Sequence, residues 1–361
     1  VRIALVVAVP HLEGEADRWE ELAHRAVPLR HARALASLGH EVHLFFDGPP
    51  RVEARGGFTV HVEACPWPGR GPARFSPHLV SAAAAVRPHV LHLHHLLAVE
   101  SAVAAVRRAG CPVFAEFHGG TPPRRWARRA ALAWASRRLA GVFTAAPEHL
   151  GPLLAAGALD PRTPQHVSPE ICARFEGPCP RPPPGPGPRF LVVGRCEEPK
   201  DPWATVQALR CLLARRPHAE VIWATPGGAD EAPVQAALRA DPSLARVSFG
   251  PIARAEMAAT YAWADALLVS SRREIGGTVL PEAFSQGTPV AAFELPVFRA
   301  LGANCPALRR VAPRDPRALA EAALRLAERP DLRHEAHAHY LAHLAYPAVA
   351  RARAALYAQA A

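Results

Sequence analysis

The sequence predicts two α/β domains, each a parallel sheet covered by helices on both faces. Three observations carry this reading. The chain has 361 residues, more than one hydrophobic core usually serves. Short apolar runs alternate with helical stretches, the pattern of strand–helix–strand units. A proline-rich break then interrupts the alternation, which restarts after it. These mark an N-terminal domain at residues 1–176, a linker at 177–188 and a C-terminal domain at 189–341.

Residues 2–9 form an apolar run that reads as a buried first strand ending at Pro10. A helix follows from about Pro28 to Leu38, with proline in its first turn and Gly39 as its C-terminal cap. Residues 40–46, 90–94, 112–117 and 141–144 read as further strands, separated by stretches rich in alanine and arginine. The segment 177–188 holds seven prolines and three glycines, which excludes a helix interior or a central strand and predicts a semi-rigid linker. Beyond it, strands are expected at 190–194, 219–224, 246–249, 266–270 and 289–293.

Composition limits the function classes. With 50% hydrophobic and 20% charged residues the chain is too apolar for disorder, and its apolar runs are too short to span a bilayer. The first ten residues hold one basic residue and no small-residue cleavage site, so a strand is favoured over a signal peptide, and the expected compartment is the cytoplasm. Seven scattered cysteines without a Cys-x-x-Cys pair argue for reduced, mostly buried thiols rather than disulfides or zinc. The net charge of +10 favours anionic ligands, although the abundance of Arg, Ala and Pro reads as a compositional bias.

The most informative segment runs from Ser270 to Val290. It opens at a strand end, where ligands bind in open parallel sheets. Gly276 and Gly277 let backbone approach a ligand closely. Pro281 suits the first turn of a short helix, and Gly287 its C-terminal cap. The amides of Gly277, Thr278 and Val279 are placed to hold a diphosphate ahead of that helix. Glu274 suits the hydroxyls of a sugar, and Glu282 those of a ribose. Each acid taken alone is an ordinary loop acid or helix N-terminal acid; the surrounding segment is what favours the binding role. A second piece, Val193-Gly194-Arg195-Cys196-Glu197-Glu198-Pro199-Lys200-Asp201, follows the first strand of the C-terminal domain. Arg195 and Lys200 are placed to converge on a diphosphate and neutralise it without a metal. Lys200 is the sole lysine among 42 basic residues, and a compact point charge suits that position.

These residues resemble family 4 of the retaining glycosyltransferases. The Glu274-x7-Glu282 spacing running into Glu-Ala-Phe-Ser-Gln-Gly-Thr-Pro-Val is the family's most recognisable signature, and Val-Gly-Arg…Lys is its usual companion. Gly250, the stretch Tyr261–Ala266 and Pro313-Arg314-Asp315-Pro316 before a helix at 318–327 extend the likeness over most of 189–330. In the first half Gly39–Val42, Pro88–His94 and Phe117-His118-Gly119-Gly120 look like family landmarks in the right order. The resemblance implies the GT-B fold, two Rossmann-like domains facing each other across a cleft, with residues 342–361 returning as a helix to the first. It implies transfer of a sugar, with retention, from a nucleoside diphosphate sugar (UDP- or GDP-sugar foremost) to a sugar, lipid or natural-product hydroxyl. It also implies that His118 reaches the donor sugar and that no cofactor is needed. Three departures stand out: Val9–Gly14 has one glycine where a glycine-rich turn is usual, Ile275-Gly276 replaces a glycine or proline and an aromatic, and Val167–Glu170 replaces a proline-asparagine-glycine turn.

Other features carry weaker readings. His92 and His94 share a strand face, with His95 beside them, but no carboxylate or cysteine accompanies them at useful sequence spacing, so no metal is expected. His11 is a minor candidate for the ligand site. The stretch 124–138 is basic and holds two tryptophans; it reads either as a solvated arginine face or as a contact to an anionic membrane, at its inner face. A sugar-nucleotide epimerase of the same fold, a non-catalytic sugar-nucleotide binder and a nucleic-acid binder are the other function classes. The last rests on charge alone, with no recognition-helix motif.

Overall fold

The computed structural model describes residues 1–7, 27–64, 77–169, 175, 177–183 and 185–361. The chain divides into two compact units, one of residues 1–170 with 346–361 and the other of residues 171–345.

In the first unit the order is β1 (Arg2–Val7), α1 (Val27–Ser37), β2 (Glu41–Asp47), β3 (Arg51–Arg55), β4 (Phe58–Glu63), α2 (Pro77–Ala85), β5 (Val90–His94), α3 (Val99–Arg108), β6 (Val113–Glu116), α4 (Trp126–Ser136), β7 (Gly141–Thr144), α5 (Gly151–Ala155) and β8 (Gln165–Val167). Its sheet runs β3-β4-β2-β1-β5-β6-β7-β8. All neighbours are parallel except β3 and β4. That antiparallel ribbon departs from the all-parallel expectation. Gly56 and Gly57, both at positive φ, close it as a two-residue hairpin, a Gly-Gly signal that the strand–helix alternation overshadows.

The sheet separates two apolar layers by the alternation of strand side chains. Ala4, Val6, Leu91, Leu93, Ala115 and Val142 pack on one face. Ile3, Leu5, Val90, Phe114 and Phe143 pack on the other, under Leu29, Ala32 and Leu35 of α1 and Tyr357 from the end of the chain. Residues 92, 94 and 116 fall by the same alternation on this second face.

The second unit contains β9 (Arg189–Val193), α6 (Pro202–Arg215), β10 (Glu220–Ala224), α7 (Glu231–Ala240), β11 (Val247–Gly250), α8 (Met257–Trp263), β12 (Ala266–Val269), α9 (Val279–Ser285), β13 (Val290–Phe293), α10 (Pro296–Leu301), β14 (Leu308–Val311), α11 (Pro316–Ala327) and α12 (Leu332–His339). The last helix, α13 (Tyr346–Ala360), packs on α1 in the first unit. The second sheet is parallel throughout, in the order β11-β10-β9-β12-β13-β14. Strand β14 escapes the sequence pattern because it is a short edge strand with two exposed arginines, Arg309 and Arg310. The proline-rich stretch is bonded to this unit: Gln286 accepts from the Cys179 N–H and donates to the Gly177 carbonyl, and Arg181 pairs with Asp265.

Helix α9 starts at Val279 and so places Pro281 within its first turn. Its end follows the glycine signal. Gly287 has φ +69°, and the N–H groups of Gly287 and Thr288 donate to the carbonyls of Phe284 and Ala283. Of the five cysteines described, Cys196 and Cys305 are buried and the others half-buried, and all are free thiols.

Candidate functional site

In the second unit the C-terminal ends of β9 and β12 frame a shallow open recess, lined among others by Gly194, Arg195, Lys200, Trp223, Ser270 and Ser271. Neighbouring parallel strands that end side by side leave this opening, the usual ligand position of such sheets. The turn 198–201 is fastened to the loop after β12. Ser270 Oγ donates to the Lys200 carbonyl at 2.8 Å, and the Arg272 N–H donates to the Pro199 carbonyl at 2.9 Å. Asp201 caps α6 by accepting from the Ala204 N–H, and its other oxygen takes Arg272 Nε at 2.6 Å.

This fastening brings together two residues singled out from separate motifs. Lys200 Nζ donates to Glu274 Oε1 at 2.5 Å, and Ser271 Oγ donates to the same oxygen at 2.8 Å. Lys200 remains 26% exposed, so its ammonium is both held and reachable. Arg195 lines the same recess but reaches outward, 64% exposed, and pairs with Glu197 at 2.9 Å. Gly277 sits at φ +56°, where a Cβ would stand 3.0 Å from Val297 Cγ2. Both the backbone and the space therefore select glycine there. Thr278 and Val279 open α9, where N–H groups lack carbonyls from a preceding turn. Glu282 is buried in α9, and the Tyr261 hydroxyl donates to its Oε2 at 2.9 Å. Arg333 clamps the far end of α9, donating to the carbonyls of Ala262, Ala264 and Gln286.

The first unit holds a different constellation. His92 and His94 on β5 face Glu116 on β6, since the sheet register places Glu116 opposite His94. The expectation that no carboxylate accompanies these histidines is thereby corrected. Glu116 lies 22 residues downstream in the chain but one strand away in space. Its Oε2 lies 3.0 Å from His94 Nδ1 and 3.4 Å from His92 Nε2. Arg353 on α13 donates through Nη2 to Glu116 Oε1 at 2.6 Å and through Nε to Ser168 Oγ at 2.9 Å. Tyr357, one turn further on, meets His92 Nδ1 at 2.5 Å. All of these side chains except that of Ser168 are at most 4% exposed.

Burial sets the protonation states here. Burial opposes ionisation of Glu116, but Arg353, His118 and hydrogen bonds from His92 and His94 outweigh it and hold the carboxyl well below its usual range. Burial lowers His92 to about 3 and His95 to about 3, and also depresses His31 and His94. The cluster is thus a Glu⁻–Arg⁺ pair among neutral imidazoles. His118 follows β6, with its ring centroid 4.4 Å from that of His95 and its Nε2 3.8 Å from Glu116 Oε2. It is 16% exposed, at the margin of the cluster.

Two family models match the sequence: Glycosyltransferase Family 4 over residues 27–149, and Glycosyl transferases group 1 over residues 187–329. The chain is a glycosyltransferase of the family 4 type. Solved structures agree on its GT-B fold of two Rossmann-like domains. Sucrose-phosphate synthase from Thermosynechococcus elongatus is similar over 99% of this chain and 98% of that one, at 20% identity and a TM-score of 0.67. A glycosyltransferase from Rickettsia africae is similar over 99% and 98%, at 13% identity and a TM-score of 0.70. Anabaena HepE in complex with UDP is similar over 99% and 100%, at 16% identity and a TM-score of 0.64. A search of curated sequences gives no significant match.

Within this glycosyltransferase, Arg195, Lys200, Glu274, Gly276, Gly277, Thr278, Val279 and Glu282 all belong to the second unit, and His118 belongs to the first. His11 and the turn Val9–Gly14 lie outside the described residues. Sequence reasoning assigned no role to Asp201, which fastens the Lys200 turn, to Ser271, which shares Glu274 with Lys200, or to Tyr261 as the partner of Glu282. It also missed Glu116, Arg353, Tyr357 and His31. A lone acid ending an apolar strand, as in Val113-Phe114-Ala115-Glu116, is the signal that exposes Glu116, because a charge there is buried only when paired.

Proposed function

We propose that the chain transfers a glycosyl group from a nucleoside diphosphate sugar to an acceptor hydroxyl, with retention at the anomeric carbon. The observation that carries this reading is the Lys200–Glu274–Ser271 cluster in the recess that Arg195 also lines. In this reading Lys200 and Arg195 stabilise the departing diphosphate, a charge-neutralising role that dispenses with a metal at that step. The amides of Gly277, Thr278 and Val279 add donors to its oxygens. Glu274, already holding the ammonium, orients the sugar hydroxyls. Glu282, positioned by Tyr261, takes those of the ribose. His118 keeps the donor-sugar role that the family resemblance implies. No carboxylate pair arranged for glycosidase-type displacement is invoked; the acceptor enters on the face that the diphosphate leaves.

UDP in the Anabaena relative, and UDP-2-fluoro glucose in an Escherichia coli trehalose-6-phosphate relative, support a uridine diphosphate donor. Calorimetric titration with UDP, GDP, ADP and TDP tests this. One of them should bind the wild type and lose about 1.5–3 kcal/mol on Lys200→Ala, the value of a charged hydrogen bond. Equal binding by both proteins, or none by either, removes the donor site. Sugar release or isomerisation without an acceptor would favour an epimerase.

A further contact rests on α4. Trp126 is 75% exposed beside the exposed Arg124 and Arg125. We propose that this end of the helix touches anionic lipid surfaces, where an aromatic ring and cations both find partners. The rest of the helix is occupied otherwise: Arg128 pairs with Glu100, and Arg138 lies 4.0 Å over Trp134. Among the described residues no helix is long and apolar enough to cross a membrane.

A further inference from the structure

The buried cluster of the first unit contains more imidazole nitrogen than its hydrogen bonds use. His31 on α1 joins His92 and His94 on the same face of the sheet, and all three are at most 2% exposed. One ligand atom from each lies within 4.8 Å of the other two. The Nδ1 atoms have company: His92 meets Tyr357, His94 meets Glu116, and His31 meets Arg353 at 3.5 Å. The Nε2 atoms of His31 and His94 are buried without a hydrogen-bond partner, and that of His92 has only Glu116 Oε2, at 3.4 Å. A buried polar atom left unpaired is costly, and three imidazoles gathered this closely call for a shared partner.

We propose that His31, His92 and His94 hold one divalent transition-metal ion of the zinc class. Nothing in the transfer reaction proposed above depends on this ion; its role is to tie α1 to β5 inside the first unit. Two observations carry the assignment. The ligands come from a helix and from a strand of the sheet whose face it covers, so one ion links helix to sheet. The second nitrogen of His94 points at a carboxylate and that of His92 at a phenol, the outer arrangement that orients metal-binding imidazoles.

A tetrahedral zinc site sets its nitrogens about 3.4 Å apart, so the cluster needs to contract by at most about 1.4 Å. Imidazole ligands select zinc, copper, nickel or cobalt over magnesium or calcium. Arg353 stands beside the cluster, but its charge is matched by Glu116 at 2.6 and 3.3 Å, so the pair offers no net repulsion. The 3.5 Å contact from Arg353 to His31 is at the outer limit of a hydrogen bond and does not hold that ring's orientation. The rival occupant is a water molecule, which fits the uncontracted spacing.

The test uses the full chain, stripped with a chelator and titrated with Co²⁺. One equivalent should bind and give the visible spectrum of a tetrahedral nitrogen site, and Zn²⁺ should displace it. His31→Phe and His92→Phe, checked for folding by circular dichroism, should each weaken binding by more than about 100-fold. Absence of uptake at micromolar Co²⁺ overturns the proposal in favour of buried water. Uptake unchanged in both variants also overturns it, because the ion then sits on other histidines. If neither variant folds, X-ray absorption of the wild-type zinc complex decides: scattering from three imidazoles supports the site, and an oxygen- or sulfur-dominated shell refutes it.

Discussion

The two units each pair a glutamate with a cation, and the two pairs are built for opposite ends. In the first unit Glu116 and Arg353 are sealed beneath α1 and α13, 1% and 4% exposed. In the second, Glu274 and Lys200 meet at the rim of a recess, and the ammonium stays in contact with solvent. A sealed pair has no replacement for its partner, so it acts as a lock on the fold. A rim pair can exchange its partner for an incoming phosphate or sugar, so it acts as a site. Burial rather than residue type separates the two roles.

The sharpest way to break this contrast is to remove one cation from each pair. Arg353→Met leaves Glu116 buried and unpaired and should lower unfolding free energy by about 3–5 kcal/mol in urea titration. Lys200→Ala should cost less in the same assay, since its ammonium already meets solvent and Ser271 still donates to Glu274 once it is gone. Similar losses in both would erase the distinction drawn here.

Acid should separate the units next. The neutral histidines His31, His92, His94 and His95 have folded pKa values depressed below that of the unfolded chain, so the unfolded state binds protons that the folded state refuses. Their stabilisation is complete above about pH 6.5 and is lost as pH falls from there toward 3. Glu116, also depressed, adds loss of the same sign at lower pH. Melting followed by amide exchange should show the first unit opening before the second at pH 5; reversed order would refute the reading.

Ligand binding supplies the converse. Lys200→Ala should weaken nucleoside diphosphate binding by about 1.5–3 kcal/mol. Glu274→Gln should slow sugar transfer more than it weakens binding of the nucleotide alone, if its carboxylate serves the sugar; equal losses would move Glu274 to the diphosphate. The smallest stability effect is expected at α4. Trp126→Ser should change stability by no more than about 0.5 kcal/mol, as at most exposed positions, yet reduce sedimentation with anionic vesicles. Unchanged sedimentation removes the membrane contact.

Much of the architecture was legible because it is local. An apolar run of four to six residues bounded by proline, glycine or charge reads as a buried strand whatever lies elsewhere, and β1, β5, β7, β9 and β12 are of this kind. The hairpin β3–β4 and the edge strand β14 were not read, because half-exposed edges carry arginine and glutamate in place of an apolar run. The loop after β12 and the turn after β9 were legible as ligand-facing segments through their glycines and charges. That Lys200 bonds to Glu274 was not, since 74 residues of chain separate them.

What the sequence determined by itself is therefore the alternation of strands and helices, and the loops at strand ends that carry glycine, acid and base together. These follow from side-chain periodicity and backbone freedom, which act over a few residues. Only the tertiary structure decided that Glu116 would face His92 and His94, and that Arg353, 237 residues away, would neutralise it. Strand order and the docking of α13 on the first sheet set those neighbours. A buried charge is satisfied by whatever the fold brings beside it, and that partner leaves no trace in local spacing.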